Sequence, residues 1–198
     1  MYKVEATGDL LSFTGQRNAT VAAPMTETPV EAALVEAVRG GDRAAFGQLY
    51  DQYARMVHGI LLTRVPYGEV DDLVQDVFLL ALRKLDSLRD AARFGPWLAM
   101  IARNRAMDFH RRKRETDELP DTLATHATPR AEANEVLAII CELPEAYREP
   151  LVLRFVEGMT GPEIAERTGL APASVRVNIH RGMKLLRERL QGAGGKEH

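Results

Sequence analysis

At 198 residues, 45% apolar and 27% charged, the chain has material for packed cores in one ordinary domain or two small ones. No apolar run nears the roughly 18 residues that span a bilayer, and the N-terminus lacks the basic start, apolar stretch and small-residue cleavage site of a secretion signal. The lone cysteine, Cys141, cannot make an internal disulfide, so the expectation is a cytoplasmic protein without membrane insertion.

Residues 1–29 mix Gly, Thr, Ala and Pro without periodicity and are predicted to be a disordered leader, with Met25 as a second candidate start. A first helix is predicted from Val30 to Arg39, stopped by Gly40-Gly41. Asp42 then caps a longer helix, in which Phe46, Leu49, Tyr50, Tyr53, Val57, Ile60 and Leu61 recur at helical spacing until Pro66 and Gly68. The next helix starts near Asp71 and carries Leu73, Val74, Val77, Phe78, Ala81, Leu82 and Leu85 on its apolar side. A loop follows from about Ser87 to Phe94. Gly95-Pro96 opens a helix through Trp97, Leu98, Ile101, Ala102 and Arg105, with Trp97 in the core by its spacing.

From Glu115 to about Arg130 the composition is that of an acidic linker. Helical pattern returns at Val136, Leu137, Ile139 and Ile140, breaks at Leu143-Pro144 and resumes from Glu145 to Val156, where Pro150 is expected to bend it. No stretch alternates with period two, so the predicted fold is all-α, with two small helical domains. They cover residues 30–114 and 131–191, joined by a flexible linker over 115–130 and followed by a disordered tail over 192–198.

The net charge of −2 conceals two basic segments. Between Arg103 and Arg114 six basic residues stand against Asp108 alone, and near the C-terminus Arg176, Arg181, Lys184, Arg187 and Arg189 face only Glu188. Two such segments fit two contacts with a polyanion, although solvated helix faces are the commoner origin of charge runs. Thr160 and Glu163 read as a capping box for a helix from Gly161 to Thr168, ended by a left-handed Gly169, with Pro172 in the first turn of a helix reaching Leu190. Ile164, Leu170, Val175 and Ile179 can fill the angle between the two. This is the pattern of a helix-turn-helix whose second helix enters a major groove. Ser174, Arg176, Val177, His180, Arg181 and Lys184 are candidates for its outward face, and Thr160 with the adjoining helix N-terminus can hold phosphate. A helical hairpin with a basic side carries the same signals.

Four blocks in order, covering about Glu31 to Leu190, resemble the extracytoplasmic-function group of bacterial sigma factors. They are D-R-A-A-F-G-Q-L-Y-D-Q-Y at 42–53, D-D-L-V-Q-D-V-F at 71–78, W-L-A-M-I-A-R-N-R-A-M-D-F at 97–109, and L-P-E-A-Y-R-E-P-L-V-L-R-F-V-E-G-M-T-G-P-E-I-A at 143–165 with S-V-R-V-N-I-H-R-G-M-K-L-L-R at 174–187. The resemblance implies that Asp72, Gln75 and Asp76 face a helical hairpin of core RNA polymerase. It implies that the loop from Leu88 to Phe94 captures an unstacked base of the −10 promoter element, with Arg89, Asp90 and Arg93 as polar contacts. Asn104, Arg105, Arg111 and Arg112 would hold that strand and its phosphates. The second domain would read the −35 element through Thr160, Ser174, Arg176, Val177, His180, Arg181 and Lys184. Promoter DNA, core polymerase and an anti-sigma protein are the implied partners, with no cofactor.

A helix macrodipole would also favour Asp71 and Asp72 at an exposed helix start, but it accounts less well for Gln75. The sequence departs from the commoner pattern at Gly161-Pro162, at Val177, and at Gly182, where Ala is usual and Gly would cost an exposed helix about 1 kcal/mol. Catalysis has little support: His58, His110, His126, His180 and His198 are scattered without metal-ligand spacing or a carboxylate partner, no phosphate loop or nucleophile elbow is present, and Cys141 reads as a buried inert thiol. Two other classes stay open. One is a helix-turn-helix regulator acting without polymerase; the other is a recombinase-like enzyme, which would need a sheet-containing catalytic domain.

Overall fold

Asp42 marks where the second helix begins: its carboxylate accepts from the backbone N–H of Ala44 and Ala45 at 2.8 and 3.2 Å, satisfying two of the donors that a helix start leaves open. The computed structural model describes residues 28–116 and 131–194. Residues 1–27 of the leader, most of the acidic linker and the last four residues, for which disorder was expected, lie outside the described residues, whereas Thr28 and Pro29, also expected to be disordered, already belong to the first helix.

Helix α1 spans Thr28–Arg39, α2 Arg43–Leu62, α3 Val70–Lys84 and α4 Phe94–Thr116; α5 spans Ala131–Glu142, α6 Glu145–Phe155, α7 Gly161–Thr168 and α8 Pro172–Gly194. There is no strand among the described residues, which removes the sheet a recombinase-like domain would need. The predicted tail is shortened, because α8 runs on to Gly194. Between α3 and α4 the predicted loop carries two short 3-10 turns, Leu85–Ser87 and Ala91–Arg93.

Helix α2 is the axis of the first group. Leu49, Tyr53, Met56, Val57, Ile60 and Leu61 are buried along it, and α1, α3 and α4 pack around it. Each such side chain contributes about 1.5–3 kcal/mol by leaving water. Phe78 of α3 packs against Phe46 and Tyr50 with ring centroids 6.3 and 4.6 Å apart. Trp97 sits against Phe94 at 5.8 Å, half-buried on the core as expected. Leu82 departs from expectation. At 43% exposed it lies off the buried face, because Leu73, Val77 and Ala81 already fill that stripe.

The second group is α5 to α8. Pro150 is buried inside α6, and the helix continues through it from Glu145 to Phe155. Gly182 needs a correction: it is buried, not on an exposed face, and a Cβ there would meet Leu151 Cδ1 at 2.8 Å and Tyr147 Cβ at 3.1 Å. The glycine lets α6 and α8 close on each other. The two helical domains expected from the sequence are present, and they touch. Helices α6 and α7 pack on α2 and α4, and the buried residues of both groups form one continuous core. The outward side of α8 is left in solvent.

Candidate nucleic-acid interface

On α3, Asp72 and Gln75 are exposed and Asp76 is half-exposed, on the side opposite Leu73, Val77 and Ala81. Leu79, which the sequence reading missed, and Leu82, which it placed on the buried side, extend the same stripe at 50% and 43% exposure. Their spacing of three and four from Gln75, Asp76 and Leu79 was the available signal. Asp76 is not isolated: its carboxylate pairs with the Arg105 guanidinium on α4. The proposed docking stripe and one proposed strand-holding arginine are therefore joined by an ion pair.

The loop before α4 is clamped from α1, which sequence spacing does not reveal. Arg39 donates to the Leu85 carbonyl at 3.1 Å and to the Leu88 carbonyl, holding the start of the loop. Glu31, buried, accepts from the Gly95 N–H at 3.1 Å and from the Tyr53 hydroxyl, holding its end. Burial pushes the Glu31 carboxyl above its ordinary range, against those two hydrogen bonds, and raises the Tyr53 phenol as well. Within the loop Arg89 and Arg93 are exposed, whereas the Asp90 carboxylate accepts from the Ala92 N–H at 3.1 Å and caps the 3-10 turn. Asp90 thus has a structural task already. Asn104 and Arg112 are exposed further along α4, and Arg111 pairs with Asp108 at 3.0 Å.

The helix-turn-helix forms as its sequence dictates. The Glu163 carboxylate accepts from the Thr160 N–H at 2.7 Å, and the Thr160 hydroxyl accepts from the Glu163 N–H at 3.4 Å. Gly169 ends α7 at φ 74°, a left-handed conformation that favours glycine. The capping bonds hold the Glu163 carboxyl below its ordinary range, and they occupy the Thr160 hydroxyl that phosphate would need. Ile164 and Val175 are buried between the helices, and Leu170 and Ile179 are partly buried against them. Val175, Gly182 and Leu186 face inward on α8, so Ser174, Arg176, Val177, His180, Arg181 and Lys184 fall on the opposite side, all exposed. Arg176, His180 and Lys184 also rim a groove of about 990 Å³ floored by Ala165, Ile179 and Met183.

Among the described residues no group of three or more His, Cys, Asp or Glu side chains is placed to hold a metal. Cys141 is half-buried, its thiol donating to the Leu62 carbonyl at 3.6 Å, and burial raises its pKa. His58 does have a carboxylate partner, contrary to the sequence reading: Glu157 Oε1 lies 2.7 Å from Nδ1. No helix among the described residues is long and apolar enough to cross a membrane.

Comparison with known proteins adds to this geometry. The family model for Sigma-70 region 2 matches residues 49–116, and that for Sigma-70 region 4 matches residues 133–186. The chain is 34% identical over 166 residues to the RNA polymerase sigma factor CarQ of Myxococcus xanthus, covering 79% of this chain and 95% of that one. It is 31% identical over 186 residues to the ECF RNA polymerase sigma-E factor of Haemophilus influenzae, covering 84% and 98% respectively. Among solved structures, CnrH in complex with the cytosolic domain of CnrY superposes with a TM-score of 0.61 at 28% identity, covering 82% of this chain and 97% of that one.

Proposed function

The chain belongs to the sigma-70 family, in its extracytoplasmic-function branch, and from that premise we propose that it docks on core RNA polymerase and directs promoter-specific initiation. Residues 30–114 serve as the unit that binds polymerase and the −10 element, and residues 131–191 as the unit that reads the −35 element. The stripe Asp72, Gln75, Asp76, Leu79 and Leu82 offers carboxylates at one end and apolar surface at the other, suited to a basic helical hairpin with an apolar ridge. Arg89 and Arg93 on the clamped loop, with Asn104, Arg105, Arg111 and Arg112 on α4, contact the opened strand. The loop must return the few kcal/mol that unstacking a base costs, which favours a loop fixed at both ends. RNA synthesis is the polymerase's chemistry; this chain positions DNA, acts in the cytoplasm, and has an anti-sigma protein as a further partner.

One observation carries the reading: all six −35 candidates on α8 stand exposed on the side away from its packed face. Arg176 and Arg181 are the readers with most to give, since a bidentate arginine–guanine contact is worth about 1–3 kcal/mol of discrimination. The experiment is transcription from a randomised promoter library with purified core polymerase. Initiation requires both proteins. Arg176→Ala with Arg181→Ala changes the selected upstream sequence, whereas Asp72→Ala, Gln75→Ala and Asp76→Ala together weaken core binding tenfold or more. Unchanged core affinity in the triple variant, or an unchanged upstream sequence in the double one, overturns these assignments.

A further inference from the structure

Both ends of the loop between α3 and α4 are tied to α1, at residues that stand ahead of the 49–116 stretch matched by the region 2 family model. Glu31 and Arg39 are eight positions apart, hence about 12 Å along α1 and within roughly a quarter turn of each other. The Arg39 Nη2 donates to the Leu85 carbonyl at 3.1 Å and to that of Leu88, where the chain leaves its 3-10 turn for an extended conformation. Its Nη1 meets Glu36 at 2.5 Å, which holds the guanidinium from the α1 side. At the other end Glu31 accepts from the Gly95 N–H at 3.1 Å, in the first turn of α4, and from the Tyr53 hydroxyl. Leu88 and Phe94 are buried beside these two ties, while Arg89, Asp90 and Arg93 between them are exposed. The Nε of Arg39 is buried and, among the described residues, has no acceptor. A buried N–H without a partner detracts from stability, so stability alone is a poor account of an arginine at this place.

We infer that Glu31 and Arg39 are positioning residues for base capture: they touch no DNA, but from α1 they fix both ends of the 88–95 span in the shape that receives the unstacked base. The inference rests on the proposed −10 reading of this loop and adds the residues that set its shape. Capture has to outweigh the stacking and pairing that the base gives up. Each backbone residue that must be ordered in that same step takes about a factor of ten from the equilibrium. A loop released at Leu88 would be ordered anew whenever a base enters, whereas a loop held at both ends is ordered once, when the chain folds. The Arg39 tie acts on two carbonyls, so it holds the path of the main chain and leaves the exposed Arg89 and Arg93 side chains to meet the strand. Neither tie involves Asp72, Gln75 or Asp76, so the effect on the loop is separable from docking on polymerase.

The test is a cycle between the protein and the captured base, in holoenzyme assembled from the full-length chain and core polymerase. Single abasic sites are placed in turn along the non-template strand of the −10 element of a promoter selected by the wild-type protein. Strand opening is followed by the permanganate reactivity of its thymines. The captured base is the position whose loss slows the wild type most, by tenfold or more. Arg39→Met removes the donors and keeps the stem; it should slow opening of the intact promoter at least tenfold, yet act less than twofold once that base is absent. Arg39→Lys, which retains a donor for the two carbonyls, should recover most of the loss. A residue that only stabilises the fold, or only aids docking on polymerase, slows both templates alike. An equal effect with and without the base therefore overturns the inference, as does unchanged opening of the intact promoter. A wild type that tolerates every abasic site overturns instead the base-capture reading of the loop. Glu31→Gln reports on the other end, with one oxygen left for two donors, and decides alone if Arg39→Met does not reach wild-type helix content. It should slow opening threefold or more only while the base is present, and a loss that persists without the base overturns the inference.

Discussion

His58 and Glu157 show what a sequence conceals at the scale of the residue. The Thr160–Glu163 box and the Asp42 cap were legible because their partners stand two or three positions apart and the helix itself fixes the geometry. His58 and Glu157 are 99 positions apart, and only the packing of α6 on α2 brings them together. The hydrogen bond to Glu157 raises the His58 pKa above 6.5, burial opposes it, and the Glu157 and Asp71 charges add to it. Tyr50, Arg55, Asp71 and Glu157 are the titratable groups that share its cavity of about 460 Å³. A histidine whose folded pKa is raised contributes stability that is complete below its unfolded value, near 6.5, and is lost as pH climbs through the folded value. Stability measured by urea unfolding should therefore fall as pH rises above 6.5 in the wild type and change less in Glu157→Gln. Imidazole titration by NMR provides the direct check: His58 titrating at 6.5 or below, or unmoved by Glu157→Gln, contradicts the assignment.

Helix starts, stops and types were largely legible at the scale of the element, because caps, prolines and apolar periodicity are local. What periodicity could not say was which side of a helix is covered by something distant. Leu82 fits the apolar repeat of α3 yet stands in solvent, and Gly182 looked like a weakness of an exposed α8 yet lies where α6 crosses it. The glycines make this testable with one substitution at two places. Gly47 lies on the exposed side of α2 with nothing within 4 Å of an added Cβ, so Gly47→Ala should raise stability by up to about 1 kcal/mol. At Gly182 the same helix gain meets Leu151 at 2.8 Å and Tyr147 at 3.1 Å. Overpacking costs about 1–3 kcal/mol, which matches or exceeds the gain, so Gly182→Ala should lower the midpoint of thermal unfolding. Circular dichroism melts decide it: a Gly182→Ala protein more stable than the wild type would mean that α6 and α8 do not approach this closely.

The two helical groups and their order could be foreseen for the whole molecule, but their embrace could not. The acidic stretch after Thr116 suggested separation, and nothing local marks Glu149 as the acceptor for Arg64 and Arg103. Glu149→Gln keeps the shape of the side chain and removes its charge, leaving two guanidinium groups facing a neutral amide. In a sealed core, removing one partner of a buried ion pair costs about 3–5 kcal/mol. Arg64 and Arg103 lie near the surface, at 17% and 28% side-chain exposure, so both return to water if α6 lifts from the first helical group. The penalty is then bounded by the free energy of that contact. Wild-type protein should unfold in one calorimetric transition with equal calorimetric and van't Hoff enthalpies, whereas Glu149→Gln should show two transitions, one for each group. A single transition displaced downward by the full cost of a stranded charge would mean instead that the two groups are one folding unit and that the interface does not open.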